Sequence, residues 1–230
     1  MPAKNARKQY LKNGYYHLYN RGVEKRKIFM DKQDYAVFLA YLKDYLLPKN
    51  TESLNKIISD PKTSWKEKDN ALKLLKLNNF SSDISLLSYC LMPNHFHFFI
   101  KQANENSIAK FMNSLCTRYT MYFNKKYKRV GYLYQGVYKA VLVTNEKQFI
   151  YLSRYIHKQA LKIASQSLAL RKQPSSYDDY LGLRKTEWVH PEEILPYFSN
   201  EVSDLSYKNF VEGNDNDELL WTIKDITLEE

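Results

Sequence analysis

Residues 89–100 read YCLMPNHFHFFI and contain two histidines, His95 and His97. The segment is aromatic and apolar and includes a Pro-Asn turn signal just before the first histidine, so the pattern predicts a β-strand. Residues i and i+2 of a strand point to the same face, so the two imidazoles project together while Phe96 and Phe98 project to the other face. Two adjacent imidazoles form half of a metal site. The alternative is a pair of ordinary half-buried histidines.

A second pattern lies downstream, where the apolar residues of 149–163 repeat at helical spacing. The spacing predicts an amphipathic helix that Thr144 or Asn145 caps at its N-terminus. Tyr155 and Gln159 are separated by four positions and are therefore neighbours on one helical face. A phenol and an amide oxygen one turn apart are placed to meet a metal ion that two histidines hold.

These segments resemble a known family, the single-tyrosine transposases named HUH after their His-hydrophobic-His motif. The most similar branch is the REP-associated tyrosine transposases, which are related to insertion-sequence transposases. The resemblance extends from residue 15 to about residue 182. It is carried by LMPNHFH at 91–97 and RYIH at 154–157, with support from YHLYNRG at 16–22, GYLYQG at 131–136 and SSY at 175–177.

The resemblance implies a role for each residue of the two patterns. His95 and His97 would bind a divalent metal ion, Gln159 would be the third protein ligand, and Tyr155 would be the nucleophile. The implied activity is metal-dependent cleavage and rejoining of single-stranded DNA, at sites that contain hairpins, through a covalent 5′-phosphotyrosine intermediate. The alternative is a domesticated module of the same fold that binds nucleic acid without cleaving it.

Ligand preference and reaction chemistry favour different metal ions. Two imidazoles and an amide oxygen suit zinc or nickel by ligand preference. Phosphoryl-transfer chemistry favours Mg²⁺ or Mn²⁺, and the resemblance implies these two. A zinc hydrolase would need a carboxylate base near the histidines, as in an HExxH motif, and the sequence has none.

Composition favours a polyanionic partner. The chain of 230 residues has a formal net charge of +10 and contains 20 tyrosines. Lysine and arginine release counterions when they neutralise phosphates, and tyrosine can stack on unpaired bases. We predict single-stranded or hairpin DNA as the partner, and a monomer or homodimer. The predicted contacts are Arg21, Lys25, Arg26, Arg118, Lys125, Lys126, Lys128, Arg129, Tyr132, Tyr134, Lys139, Arg154 and Lys158. Each of these also has a structural or solvated alternative. For His17 and His157, a structural role is favoured over that of a ligand.

No stretch approaches the length of a membrane span, and the basic N-terminus lacks the apolar core of a signal peptide. The two cysteines show no metal-binding spacing. We therefore expect a bacterial cytoplasmic protein that associates with the nucleoid when it acts.

The order of predicted elements is β-α-β-β-α-β followed by the tyrosine helix. This order predicts an α+β, ferredoxin-like fold, with an antiparallel sheet, helices on one face and an additional C-terminal helix that carries Tyr155. The other face of the sheet would be available for metal and DNA. We predict one domain over residues 1–185, with a partly helical insertion at 48–83, and an appendage with an acidic tail at 186–230.

Overall fold

The computed structural model describes residues 8–166, 173–199, 201–214 and 222–224. Four strands and seven α-helices follow one another along this part of the chain, with short 3₁₀ turns between some of them. The strands are β1 (Tyr15–Arg21), β2 (Ile84–Met92), β3 (His95–Gln102) and β4 (Lys139–Leu142). The helices are α1 (Lys32–Leu46), α2 (Thr51–Ser59), α3 (Trp65–Lys76), α4 (Ser107–Lys126), α5 (Glu146–Gln166), α6 (Tyr177–Tyr180) and α7 (Tyr207–Glu212).

The strands form one antiparallel sheet in the order β2-β3-β1-β4. Strand β1 lies between β3 and β4, and its register places Tyr19 opposite His97 and Arg21 opposite His95. The α1 crossover joins β1 to β2, and the α4 crossover joins β3 to β4. This arrangement confirms the predicted ferredoxin-like fold.

The first face of the sheet is covered by α1 and α4. Phe96 and Phe98 project to this face and pack with Phe38 of α1 and Tyr119 of α4, all of them inaccessible to solvent. The alternation predicted for β3 is therefore the alternation observed. Burial of these large apolar side chains is the main source of stability for the layer.

The second face is not left open. Helix α5 packs across β2 and β3, with Leu152 and Ile156 fully buried against Phe99 and other sheet residues. The prediction of a free second face was wrong in this part of the sheet, because the apolar stripe of α5 must itself be buried. The second face therefore holds the tyrosine helix directly over the strand of the two histidines.

Two segments that the sequence set apart have defined structure. Within 48–83, α2 and α3 form a helical pair, and Ser64 and Glu67 form a capping box at the start of α3. Beyond residue 186, Ile194 and Tyr207 lie in the same apolar cluster as the second face of the sheet. The domain boundary at 185/186 stays a prediction, and most of the acidic tail lies outside the described residues.

One buried carboxylate ties the start of α1 to the end of α4. Asp34 is inaccessible to solvent and accepts hydrogen bonds from the Met30 amide at 2.8 Å, the Tyr122 hydroxyl at 3.0 Å and the Tyr127 hydroxyl at 2.8 Å. The Lys126 ammonium lies 2.8 Å from the same carboxylate. Burial alone would raise the pKa of Asp34, but the Lys126 charge and these donors hold it below its ordinary value.

The described ranges contain no helix with the length and apolar character needed to cross a membrane.

Candidate active site at the junction of the sheet and the tyrosine helix

The two histidines of β3 lie side by side on the second face of the sheet. His95 is 6% exposed and His97 is fully buried. Their ring centroids are 4.9 Å apart and their ring planes are nearly perpendicular, at 89°. The two histidines therefore share one face of β3, as their i, i+2 spacing predicts.

A third histidine completes the cluster. His17 of β1 stacks on His97, with ring centroids 5.1 Å apart, and its Nε2 lies 2.9 Å from Nδ1 of His97. From the sequence, a structural role for His17 was favoured over that of a ligand. The i, i+2 spacing of Tyr15, His17 and Tyr19 along β1 indicated that these three side chains share one face. Only the pairing of β1 with β3 shows that this face is the one that carries the other two histidines.

Both β3 imidazoles are held in the neutral form. Burial, together with a smaller contribution from the nearby positive charge of Arg21, lowers the pKa of His95 to about 4. Burial also lowers the pKa of His97 well below its ordinary value, with smaller contributions from His95 and His17. Neutral imidazole is the form that donates a lone pair to a metal ion.

Tyr155 lies against this cluster. Its ring meets His97 edge-on with centroids 5.5 Å apart, and it meets His17 edge-on at 5.9 Å. Helix α5 begins at Glu146, where the Asn145 side chain accepts a hydrogen bond from the Gln148 amide, as expected of an N-cap. Gln159 is half-buried one turn beyond Tyr155. The tertiary structure thus brings the predicted nucleophile to the predicted metal ligands.

The hydrogen bonds of the histidines bear directly on metal binding. His95 Nδ1 lies 2.6 Å from the Asn94 side-chain oxygen, and His97 Nδ1 is engaged by His17. Nε2 of His97 is buried and has no hydrogen-bond partner among the described residues. An imidazole that donates from Nδ1 carries its lone pair on Nε2, so each ring would offer Nε2 as a ligand atom in the tautomer with the proton on Nδ1.

A metal site at this position would have two imidazole ligands rather than a larger set of His, Cys, Asp or Glu side chains. Within the described ranges, no group of three or more His, Cys, Asp or Glu side chains is arranged to hold a metal ion. The orphaned Nε2 of His97 is a donor atom of the kind that a divalent ion accepts, and the amide oxygen of Gln159 is chemically suited to the same role. Their roles as ligands stay predictions.

Several predicted DNA contacts are already engaged within the protein. Lys126 forms ion pairs with Asp31 at 2.7 Å and with Asp34 at 2.8 Å. Arg118 pairs with Asp44 at 2.9 Å on the helical layer that covers the first face of the sheet. Lys125, by contrast, is exposed beside Lys126. The DNA role of all three stays a prediction, and their placement favours Lys125.

The loop between α4 and β4 presents its tyrosines differently. Tyr132 is 87% exposed, whereas Tyr134 is 8% exposed and packs edge-on against Phe96. A buried ring has no free face for a base, so Tyr132 is the better placed of the two for stacking. Lys128 at the start of this loop is also exposed.

Other predicted basic contacts lie in β1, in the loop that follows it, in β4 and after the end of α4. Arg21 donates to the Gln135 side chain at 3.2 Å, and Arg26 lies 3.3 Å from Glu24. Lys25 is exposed. Lys139 of β4 is half-buried opposite Tyr19 of β1, and Arg129 lies at the end of α4.

The C-terminal segment lies along the tyrosine helix. Arg154 donates to the carbonyls of Gly213 at 2.6 Å and Asn214 at 2.9 Å, and Lys158 donates to Gly213 at 2.9 Å. His157 lies 2.6 Å from the Tyr207 hydroxyl and is fully buried. These contacts agree with a structural role for His157. Arg154 and Lys158 already have backbone partners, and their roles in DNA binding stay predictions.

A ferredoxin-like sheet that places a His-hydrophobic-His pair beside a helical tyrosine is the arrangement expected from the resemblance to single-tyrosine HUH transposases. Comparison with family models agrees with this class. Residues 63–159, which are less than half of the chain, match the family described as "Transposase IS200 like". The match spans His95, His97, Tyr155 and Gln159, and over these residues it agrees with the resemblance to insertion-sequence transposases predicted from the sequence.

Two solved structures are among the matches. One is a REP-associated tyrosine transposase bound to a REP hairpin, with a TM-score of 0.47 and 10% identity over 80% of this chain and 95% of that chain. The other is a protein from Deinococcus radiodurans R1 described as a transposase, with a TM-score of 0.27 and 15% identity over 69% of this chain and 98% of that chain. Comparison with curated proteins gave no match.

Proposed function

We propose that this protein is a metal-dependent strand transferase that cleaves and rejoins single-stranded DNA through Tyr155. The observation that carries the proposal is the contact of the Tyr155 ring with His97, whose buried Nε2 has no hydrogen-bond partner among the described residues. A nucleophile and a vacant ligand atom, 58 positions apart in the chain, have little structural reason to meet at a buried polar cluster. A site for phosphoryl transfer requires such a meeting.

In the proposed reaction the Tyr155 oxygen attacks a backbone phosphorus and loses its proton to solvent. The bond between phosphorus and the 3′-oxygen breaks, that oxygen takes up a proton, and a 5′-phosphotyrosine remains on the protein. Attack by a second 3′-hydroxyl on this linkage reverses the step and rejoins the DNA. One phosphodiester is exchanged for another, so no external energy source is needed.

Each neighbouring residue has a positioning task in this scheme. When bound, a divalent cation would polarise the scissile phosphate and neutralise its charge. His95, His97 and Gln159 would hold it, with Asn94 and His17 fixing the orientation of the two imidazoles. The burial that keeps both rings neutral leaves their lone pairs available without competition from protons.

The proposed substrate is single-stranded DNA, including hairpins, and its backbone would lie on basic residues around the site. Lys125 and Lys128 are exposed, whereas Lys126 is held by Asp31 and Asp34. Combined replacement of Lys125 and Lys128 by alanine should weaken binding and flatten its salt dependence. Lys126→Ala should mainly reduce stability, and equal effects of all three on binding would contradict this division.

The decisive experiment tests for a covalent adduct. The protein is incubated with Mn²⁺ and labelled single strands taken from the hairpins that flank its own gene, and products are resolved on a denaturing gel. Wild type should form an adduct that excess EDTA prevents. Tyr155→Phe keeps the ring and its packing, so it should fold and bind DNA but form no adduct.

The matched control is Tyr151→Phe, one turn earlier on α5, where the ring stacks on Phe210 at 5.6 Å. This variant should retain the adduct, and mass spectrometry should place the nucleotide mass on Tyr155. An adduct that persists in Tyr155→Phe would refute the assignment. DNA binding by wild type without any adduct would instead identify the non-cleaving module of the same fold.

A further inference from the structure

A pocket outside the histidine cluster opens between the loop after β1 and the C-terminal end of α4. Its volume is 340 Å³, and it is lined by Arg26, Lys27, Met30, Phe123, Tyr127 and Arg129. This volume falls at the lower end of the range for small-molecule sites, roughly 300–1,000 Å³. Two aromatic rings and a methionine form its apolar part, and three cationic side chains contribute the rest.

We propose that this pocket binds one unstacked base of the single-stranded DNA, with the adjacent phosphates on Arg26, Lys27 and Arg129. The proposal rests on the proposed function, since it names how the same substrate is held. An apolar cleft with an aromatic wall accepts the face of any base, and a cationic rim suits the charge on either side of it. A neutral apolar ligand would make no use of the three charges.

The walls of the pocket are fixed before any ligand arrives. The buried carboxylate of Asp34 accepts the Met30 amide at 2.8 Å and the Tyr127 hydroxyl at 2.8 Å, which anchors both sides. Tyr127 packs against Phe123 with ring centroids 4.5 Å apart. The Arg129 guanidinium lies 5.7 Å from the centroid of the Phe123 ring and donates to Asn124 at 3.0 Å. Such a preformed cleft would order a base at little conformational cost.

The pocket is also tied to the histidine strand. The loop that supplies Arg26, Lys27 and Met30 is bonded to the turn just before His95: Gly22 donates to the Asn94 carbonyl at 2.8 Å, and Ile28 donates to the Pro93 carbonyl at 2.8 Å. Strand β1 ends with Arg21 opposite His95. A base held in the pocket would therefore lie at the same end of the sheet as His95, where it would help to position the strand for cleavage.

Methionine methyl NMR on the full chain tests this inference. Met30 is 56% exposed in the pocket, and Met121 is 68% exposed on α4 outside the pocket lining and serves as an internal control. The protein, labelled with ¹³C at its methionine methyls, is titrated with an oligothymidylate and with an abasic oligomer of equal length and charge. The Met30 methyl should shift upfield with the oligothymidylate only, because only that oligomer brings a ring above it. Met121 should not move with either.

A pair of variants separates the aromatic wall from the stability of the fold. Tyr127→Leu and Tyr127→Phe both lose the hydrogen bond to Asp34, but only Tyr127→Phe keeps the ring. Affinity for the oligothymidylate should fall roughly 5- to 100-fold in Tyr127→Leu and stay near wild type in Tyr127→Phe, as measured by fluorescence anisotropy. Affinity for the abasic oligomer should be the same in both.

The outcomes distinguish this inference from the proposed function. Tight binding of the oligothymidylate with no movement of Met30 would overturn the base pocket and leave strand transfer intact. Equal shifts of Met30 with both oligomers would show phosphate binding at the rim and would overturn the base assignment. Failure of both oligomers to bind would count against the proposed DNA substrate itself.

Discussion

Replacement of His17 by phenylalanine tests whether His17 positions His97. Phenylalanine keeps a ring of similar size stacked on His97 but removes the nitrogen that lies 2.9 Å from His97 Nδ1. In the tautomer in which Nδ1 of His97 is the donor, it would lose its acceptor and gain no water in exchange, because His97 is fully buried. An unsatisfied buried donor costs about 1–3 kcal/mol.

The expected loss of metal affinity corresponds to a similar free-energy range. Loss of the partner that orients a ligating histidine lowers metal affinity roughly 10- to 100-fold, which is about 1.4–2.7 kcal/mol. Without the acceptor, His97 is free to place its proton on Nε2 and withdraw the ligand atom. We therefore expect the Mn²⁺ dissociation constant of His17→Phe to rise by that factor, measured by isothermal titration calorimetry.

Two further variants make the result specific. His17→Gln restores an acceptor oxygen and should recover part of the affinity. His190→Phe removes an exposed histidine that lies 2.8 Å from Glu192, and it should leave Mn²⁺ affinity unchanged. A folded His17→Phe protein that binds Mn²⁺ as tightly as wild type would refute the positioning role.

Other perturbations test the fold and the site. Asp34→Asn leaves the Lys126 charge partly buried and should reduce the free energy of unfolding by about 3 kcal/mol near neutral pH, whereas the exposed pair of Asp69 with Lys73 predicts less than about 0.5 kcal/mol for Asp69→Asn in the same urea titration. Because the folded pKa of Asp34 is lowered, its contribution is present above pH of about 4 and is lost as the pH falls through the folded pKa. A wild-type excess over Asp34→Asn that grows as the pH falls below about 4 would contradict this sign. Gln159→Ala removes one ligand of several, so adduct formation should fall and partly recover at higher Mn²⁺, and no recovery would point to another role.

The elements could be predicted largely from local pattern. Alternation along β3 and helical spacing along α5 arise from backbone geometry alone, so the sequence indicated the shared face of His95 and His97 and that of Tyr155 and Gln159. Strand β1 spans seven residues, Tyr15–Arg21, whereas β4 at the sheet edge spans only four, Lys139–Leu142. A short strand at the sheet edge leaves a weak pattern, because few of its residues alternate between two buried faces.

The sequence pattern could not predict that the second face of the sheet is covered by α5. The apolar stripe of α5 indicated that the helix must be buried, but the stripe carries no information about which surface buries it. The structure lays α5 across β2 and β3 and adds residues such as Tyr207 from beyond 186. Which surface buries α5 depends on shape complementarity between the helix and the sheet, to which many residues contribute.

The sequence by itself determined the composition of the candidate site, since the predicted ligand pair and the predicted nucleophile each lie in a regular element whose period is visible. Only the tertiary structure decided what surrounds them. His17 reaches His97 across 80 positions because β1 pairs with β3, and Asp34 reaches Lys126 across 92 positions because α1 packs on α4. Contacts of this kind come from strand pairing and helix packing, whose energies depend on the whole core rather than on any local run of residues.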